Sequence, residues 1–384
     1  MMNRKRKARI ANLIGKIFII ILFLVMIINV IVPDREQSEM ENRTLETRPR
    51  FNMSSILSGD FMEEWENYLS DQFVGRNMWR SIKVGLDRLG GSRIENGIYI
   101  GKGGQLMEDI EVPDEDQLEA NLTAIRDFAE TYEDVPVTMM LVPDAACILS
   151  DRLPAFARVE DQRQMFSMAE RNMEDSVNWI DTVSVLNKHK SEKLYYKTDH
   201  HWTTQAAFYV FQEAAKTLEI EGDVSDNFVS YAVTDSFNGA LASLSGVGLD
   251  ERETIDIYAP SEGDDDVVVS YVDEGRKTTS LYDSSKLETR DKYSVFLGGN
   301  TSVIDIRTVS TSQKRLLVVK DSFADCFIPF LAPYYREIVV VDPRYYSGTM
   351  DEIMDTYRIT DALILYSGNT FFTDNNISGV FTGE

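Results

Sequence analysis

Three short runs in the last quarter of the chain, RLLVVKD, EIVVVDP and DALILYS, limit the folds open to it. Each is apolar over several consecutive residues and lacks the polar alternation of a half-exposed strand. That pattern belongs to strands covered on both faces. Segments of helical length separate them, SFADCFIPFLAPYY and GTMDEIMDTYR. Strands spaced in this way pair in parallel through crossover helices. Upstream, VPVTMMLVPD and VNWIDTV are two further strand candidates, and helices are expected near 116–132, 162–174 and 203–218. The expected fold is therefore α/β, a parallel sheet flanked by helices, with ligands bound beyond the carboxyl ends of the strands.

Residues 221–290 break the pattern. Short alternating runs (TIDIYAP, VVVSYV, TTSLY) lie between turn signals in an acidic background, which reads as a β-rich insertion. The acidic run 262–266 lacks the spaced ligands and bidentate Glu of a calcium loop and reads as solvated. GIYIGKGGQLME reads as a hairpin with a Gly-Gly turn.

The N-terminus carries a different constraint. A basic cluster (Arg4, Lys5, Arg6, Lys7, Arg9) precedes an apolar run at 13–32 broken by Gly15, Lys16 and Asn29. Roughly 20 apolar residues cross a bilayer as a helix. The run exceeds the usual core of a cleaved signal and ends in NVIVPDRE without a small-residue cleavage pattern. An uncleaved anchor at 13–33 is expected, with a cytoplasmic basic tail at 1–12 and the rest of the chain outside. A polar stalk and covering helices follow at 34–75, then the main domain at 76–384. The net charge of −24 includes the basic tail, so the outer part is more acidic still. Such a surface repels nucleic acid and anionic headgroups. Cys147 and Cys326 are the only cysteines. They suit either one extracellular disulfide or two buried thiols, and make no zinc site.

Three stretches contain residues able to do chemistry. In LLVVKDSFADCF, Ser322 follows a buried strand and opens an expected helix, where backbone N–H groups and a positive dipole end favour an oxyanion. An N-cap at Asp321 or Ser322 has the same local pattern. YYKTDHHWTT holds two of the three histidines. There Asp199 and His201 fit an acid–base pair, His200 and His201 fit part of a metal site, and the stretch also fits a capped polar turn. In YSVFLGGNTSV, Gly299 and Asn300 after an apolar strand fit oxyanion donors or an ordinary turn.

Together these stretches resemble the DHHW proteins, relatives of the alginate O-acetylation proteins in the SGNH hydrolase superfamily. ENRTLETRP, NGIYIGKGGQL, YYKTDHHWTTQAA, FLGGN and LLVVKDSFADCFIPFLAPYYREIVVVDPRYY carry the likeness. It implies a flavodoxin-like sheet and a triad of Ser322 as nucleophile, His201 as base and Asp199 as orienting acid, with Asn300 and Gly299 as oxyanion donors. The family's glycine before Asp-Ser is Lys320 here. His200, Arg344 and Tyr345 are candidate substrate contacts. DHH phosphoesterases and DHHC palmitoyltransferases share only part of the motif and lack the rest of the pattern.

The implied activity is an extracytoplasmic serine acyl-ester enzyme, an O-acetyltransferase or acetylesterase acting on a cell-surface or exported polysaccharide. No cofactor is implied. The acetyl donor would be a multi-span membrane acyltransferase. The alternative is a non-catalytic envelope protein that keeps the fold and binds glycan or a partner.

Overall fold

The computed structural model describes residues 4–38, 43–262 and 266–383. The chain divides at Gly91 into two compact units.

The first unit begins with helix α1 (Arg4–Ile31), whose segment Asn12–Ile31 is long and apolar enough to cross a membrane and is unburied within the protein. A two-residue antiparallel pair follows, β1 (Gln37–Ser38) with β2 (Arg43–Thr44). Three helices complete the unit: α2 (Met53–Ser58), α3 (Asp60–Gln72) and α4 (Arg76–Leu89).

The second unit opens with a three-stranded antiparallel sheet of β3 (Ile94–Glu95), β4 (Ile98–Ile100) and β5 (Leu106–Glu108). Gly103 and Gly104, at φ 71° and 78°, make the left-handed turn that the Gly-Gly pair predicts. Next come α5 (Glu115–Thr131), β6 (Val137–Val142), α6 (Ala145–Ile148), α7 (Gln162–Met173), β7 (Asn178–Trp179), α8 (Thr182–Lys188) and α9 (Thr204–Thr217). The remainder is β8 (Phe228–Phe237), α10 (Ala240–Ser245), β9 (Glu253–Pro260), β10 (Val267–Tyr271), β11 (Arg276–Thr278), β12 (Val303–Thr308), β13 (Arg315–Lys320), β14 (Glu337–Val341), α11 (Met350–Tyr357), β15 (Asp361–Ser367), α12 (Gly368–Thr373) and α13 (Ile377–Thr382).

An eight-stranded sheet runs β11-β10-β12-β14-β13-β15-β6-β7. The five strands from β14 to β7 are parallel, and β12, β10 and β11 extend one edge antiparallel. The apolar runs divide between two cores with the strand period of two. Leu316, Val318, Ile338, Val340, Leu363 and Leu365 face α9 and the aromatic cluster around it. Leu317, Val319, Val339, Val341, Ile364 and Tyr366 face α5, α7, α11 and α13. Burial on both faces is why these strands show no polar alternation.

Within 221–290, β8 and β9 form a hairpin of their own, and β10 and β11 join the main sheet through β12. Three expectations need correction. SFADCFIPFLAPYY is not an α-helix. It forms 3-10 turns at Ser322–Ala324 and Ile328–Phe330. Pro329 lacks the N–H that an α-helix would donate to Asp325, and its ring would collide with that carbonyl. VNWIDTV contributes only two strand residues, because Asp181 caps α8 by accepting the Ser184 N–H at 2.9 Å. The segment before Gly298 is a 3-10 turn, Lys292–Val295, rather than a strand. In the acidic run 262–266, positions 263–265 lie outside the described residues.

Candidate active site

The carboxyl end of β13 delivers Lys320, Asp321 and Ser322 to the edge where a parallel sheet binds its ligands. Asp321 fixes the turn. Its Oδ1 accepts the Phe323 N–H at 2.9 Å, and its Oδ2 accepts Ser367 N–H at 2.9 Å and Ser367 Oγ–H at 2.6 Å. The serine turn is thereby tied to the end of the neighbouring strand β15.

The loop between α8 and α9 is a narrow reversal. Tyr195 and Trp202 form an antiparallel bridge across it, and the Thr203 N–H donates to Leu194 at 2.8 Å. Trp202 is fully buried, and its Nε1–H donates to the Phe323 carbonyl at 2.9 Å. This bond links the DHHW loop to the serine turn, 121 residues on.

The link brings three of the expected residues together. His201 Nε2 lies 2.8 Å from Ser322 Oγ. His201 Nδ1 lies 2.6 Å from Asp199 Oδ1. The carboxylate accepts from Nδ1–H, which leaves Nε2 to accept the serine proton. Asp199 is held independently: Oδ1 also accepts the His201 N–H at 3.1 Å, and Oδ2 accepts the Ala240 N–H at 2.8 Å.

The insertion supplies that last bond and more. Glu253, on β9, accepts the N–H groups of Lys197 and Thr198 at 2.9 Å each and the Thr198 hydroxyl at 2.7 Å. Thr198 Oγ1 in turn accepts the Gly239 N–H at 3.0 Å. Gly239 is packed so tightly that a Cβ there would sit 2.2 Å from Asp199 Cβ. The segment from β8 to β9 therefore clamps the histidine loop. From the other side, the Leu106 N–H donates to the Lys197 carbonyl at 2.9 Å.

Tyr293 stacks on His201 with ring centres 3.7 Å apart and planes 12° from parallel, and its hydroxyl donates to the Ser322 carbonyl at 3.3 Å. His200 lies against His201 at 4.0 Å between ring centres. Burial pushes the His201 pKa below its ordinary value, and the neighbouring His200 charge lowers it further against the pull of Asp199. Burial would raise the Asp199 pKa, but the two imidazoles and the Ala240 N–H hold it well below the carboxylate range. Burial opposes charge on His200 as well. There the surrounding carboxylates of Asp199, Glu108, Asp144 and Asp321 prevail, and its pKa is raised.

Asp199, His200 and His201 lie close enough to hold a metal ion. Both ring nitrogens of His201 and both oxygens of Asp199 are already engaged, however, and an ion would displace the bond between Asp199 and His201 or those to Ser322 or Ala240. The donor set suits an acid–base relay better than a metal site.

The Gly-Gly-Asn turn offers less than its sequence promises. Gly299, at φ 98°, donates its N–H to the Phe296 carbonyl at 3.2 Å, so that group is not free for an oxyanion. Asn300 remains. Its Oδ1 accepts from Lys320 Nζ at 3.0 Å, and an ammonium can only donate, so the amide Nδ2–H₂ points the other way. Among the described residues, neither Asn300 Nδ2 nor the Ser322 N–H donates to another group.

Lys320 is 1% exposed. Its ammonium also meets Asp325 Oδ1 at 2.8 Å and Asp342 Oδ2 at 3.5 Å. The residue that departs from the family's glycine thus ties the serine turn to Asn300 and to the end of β14. Asp342 holds Arg344 through Nε at 2.8 Å and Nη2 at 2.7 Å. Arg344 lines a groove of about 490 Å³ with Glu108, Asp109, Asn369 and Asp374. Tyr345 is exposed and lies outside that lining. Cys147 and Cys326 are buried free thiols.

Tyr293, Gly239 and Glu253 were not foreseen from sequence. Gly239 and Glu253 look like ordinary turn and strand residues in SFNGA and RETIDIY. Lys320 did leave a signal, a lone charge ending a buried strand.

A family model described as DHHW protein matches residues 133–341. Among solved structures, a DHHW family protein from Eubacterium siraeum superposes with a TM-score of 0.65 at 20% identity, covering 76% of this chain and 96% of its own. Bacillus cereus PatB1 with a sulfonyl adduct superposes with a TM-score of 0.63 at 19% identity, covering 74% of this chain and 98% of its own. At these identities the likeness is one of fold. No curated protein matches the chain.

Proposed function

The chain belongs to the DHHW protein family, and from that membership and the geometry around Ser322 we propose that it is a serine acyl-ester enzyme. The observation that carries this reading is the hydrogen-bonded run Ser322–His201–Asp199, at 2.8 and 2.6 Å. Ser322 Oγ attacks the carbonyl of an acetyl ester while His201 Nε2 takes its proton. Asp199 holds the resulting imidazolium in place. The carbonyl oxygen becomes an oxyanion bound by the Ser322 N–H and Asn300 Nδ2–H₂. Collapse expels the donor alkoxide, which takes the proton from His201, and leaves an acetyl–Ser322 ester. A second hydroxyl then attacks this ester with His201 again as base. A sugar hydroxyl makes the enzyme a transferase, and water makes it an esterase.

The family resemblance supports O-acetylation of a cell-surface or exported polysaccharide. Helix α1 serves in this reading as a single-pass anchor that keeps the second unit outside the cell. A multi-span membrane acyltransferase would supply the acetyl group. Bacillus cereus PatB1 has been determined with a sulfonyl adduct, and sulfonyl fluorides react with activated serines. The test uses methanesulfonyl fluoride and p-nitrophenyl acetate on the full-length protein. Wild type should be sulfonylated at Ser322 and should hydrolyse the ester, and Ser322→Ala and His201→Ala should do neither. Sulfonylation elsewhere, or hydrolysis that survives both substitutions, would overturn the assignment.

A further inference from the structure

Helix α4 presents its apolar side outward. Met78, Trp79, Ile82, Leu86 and Leu89 share one face by helical spacing, and each is between 44% and 86% exposed. The one buried residue of the helix, Val84, lies on the opposite side. A water-facing helix normally has the reverse arrangement. A contiguous exposed stripe of large apolar side chains marks a surface that something covers.

The position of α4 within its unit indicates what that is. Val74, in the corner between α3 and α4, donates its N–H to Asn29 Oδ1 at 2.7 Å. Asn29 belongs to the last turns of the apolar span Asn12–Ile31. The chain leaving that span is bound to the same corner. Arg35 and Gln72 exchange two hydrogen bonds of 2.9 Å, and the Tyr68 hydroxyl donates to Asp34 at 3.0 Å. If α1 crosses the membrane, the start of α4 is held at the level where α1 leaves the hydrocarbon.

Charge points the same way. The chain carries a net charge of −24, yet α4 has Arg76, Arg80, Lys83 and Arg88 against a single Asp87. Arg76 meets Asp71 at 3.5 Å within the corner, and Lys83 meets Asp87 at 2.7 Å along the helix, so the basic excess is one of net charge. Long basic side chains bury their stems along apolar surface and keep their charge among headgroups. A basic amphipathic helix containing a tryptophan is the pattern of an interfacial helix.

We propose that α4 is a second membrane contact, lying in the outer interface of an anionic bilayer with Trp79, Ile82 and Leu86 among the lipids. This rests on the reading of α1 as a retained anchor. With both contacts made, the first unit is held at two points and cannot pivot freely about a single helix.

The test places the full-length protein in vesicles of phosphatidylcholine and phosphatidylglycerol, with bromine on the acyl chains close to the glycerol. The Trp79 signal is the emission lost on Trp79→Phe, a conservative change at an exposed site. The proposal expects that signal to be lost in brominated vesicles and unaffected by aqueous iodide. Quenching by iodide alone would mean that the face is in water. Quenching by neither would mean that protein covers it, as in a dimer or a complex. Either result overturns the proposal. A carbonate wash separates this from the anchor. A chain that resists extraction while Trp79 remains unquenched by lipid keeps the anchor and loses the interfacial helix, whereas a chain that washes off loses the anchor.

Discussion

Gly239→Ala should disable the site from outside it. Gly239 has φ −86° and ψ −173°, an extended conformation that alanine adopts without strain, so the backbone itself would accept the change. The obstacle is Asp199. The new Cβ would stand 2.2 Å from its Cβ, 2.4 Å from Oδ2 and 2.7 Å from Cγ. Carbon atoms settle at about 3.5–4.0 Å, so something must give by more than about 1 Å. The Asp199 side chain cannot move that far and keep both the 2.8 Å bond to Ala240 and the 2.6 Å bond to His201. Misplacing a positioned group by about 1 Å costs on the order of 10²-fold in rate, and losing the orienting acid of a triad costs about 10⁴-fold. We expect kcat for p-nitrophenyl acetate to fall about 10²–10⁴-fold with little change in KM, in a protein whose circular dichroism matches wild type. The double variant Asp199→Gly/Gly239→Ala supplies the check, since glycine at 199 removes the Cβ as well as the carboxylate that the new methyl would strike. If the clash acts through Asp199, the second substitution should cost almost nothing once the carboxylate is gone. Full activity in folded Gly239→Ala, or an equal loss in both backgrounds, would refute the argument.

Two other expectations follow from the same geometry. The proposed reaction needs neutral His201, whose pKa lies below its ordinary value of about 6.5. The acid limb of kcat/KM should therefore fall below that pH, and His200→Gln, by removing a neighbouring charge that disfavours the imidazolium, should move the limb upward. A limb at or above the ordinary histidine value, or a downward shift in the variant, would contradict this. Lys320→Met removes the ammonium between Asp325 and Asn300 and leaves the buried Asp325 carboxylate without its cation. It should cost about 3–5 kcal/mol in chemical denaturation, and Lys320→Met/Asp325→Asn should recover part of that. A wild-type midpoint for the single variant would show that the cluster contributes little.

Much of the architecture is legible in sequence because strand burial is a local, periodic property. RLLVVKD, EIVVVDP and DALILYS carry no polar alternation, and each forms a parallel strand with a core on both sides. The pairing of DHHW with KDSF likewise points to Ser322, His201 and Asp199, but through the family resemblance it carries; the residue types alone also fit a metal site or a capped turn.

The remainder depends on neighbours distant in the chain. Pro329 lies inside a segment that otherwise looks helical, and one missing N–H helps turn it into 3-10 pieces. The acidic insertion shows only short alternating runs in sequence; that β10 pairs with β12, and that Ala240 supplies a bond that orients Asp199, depends on distant partners. Gly299 looks like a donor until its N–H is found on Phe296. Whether Lys320 is buried with carboxylates, or Gly239 stands against Asp199, is a matter of packing between segments. Propensity and periodicity are written along the chain, whereas charge partners and steric exclusions exist only once distant segments have met. The apolar face of α4 is the mixed case: its spacing is visible in the sequence, but only the tertiary structure sets it apart from the rest of the first unit beside the end of α1.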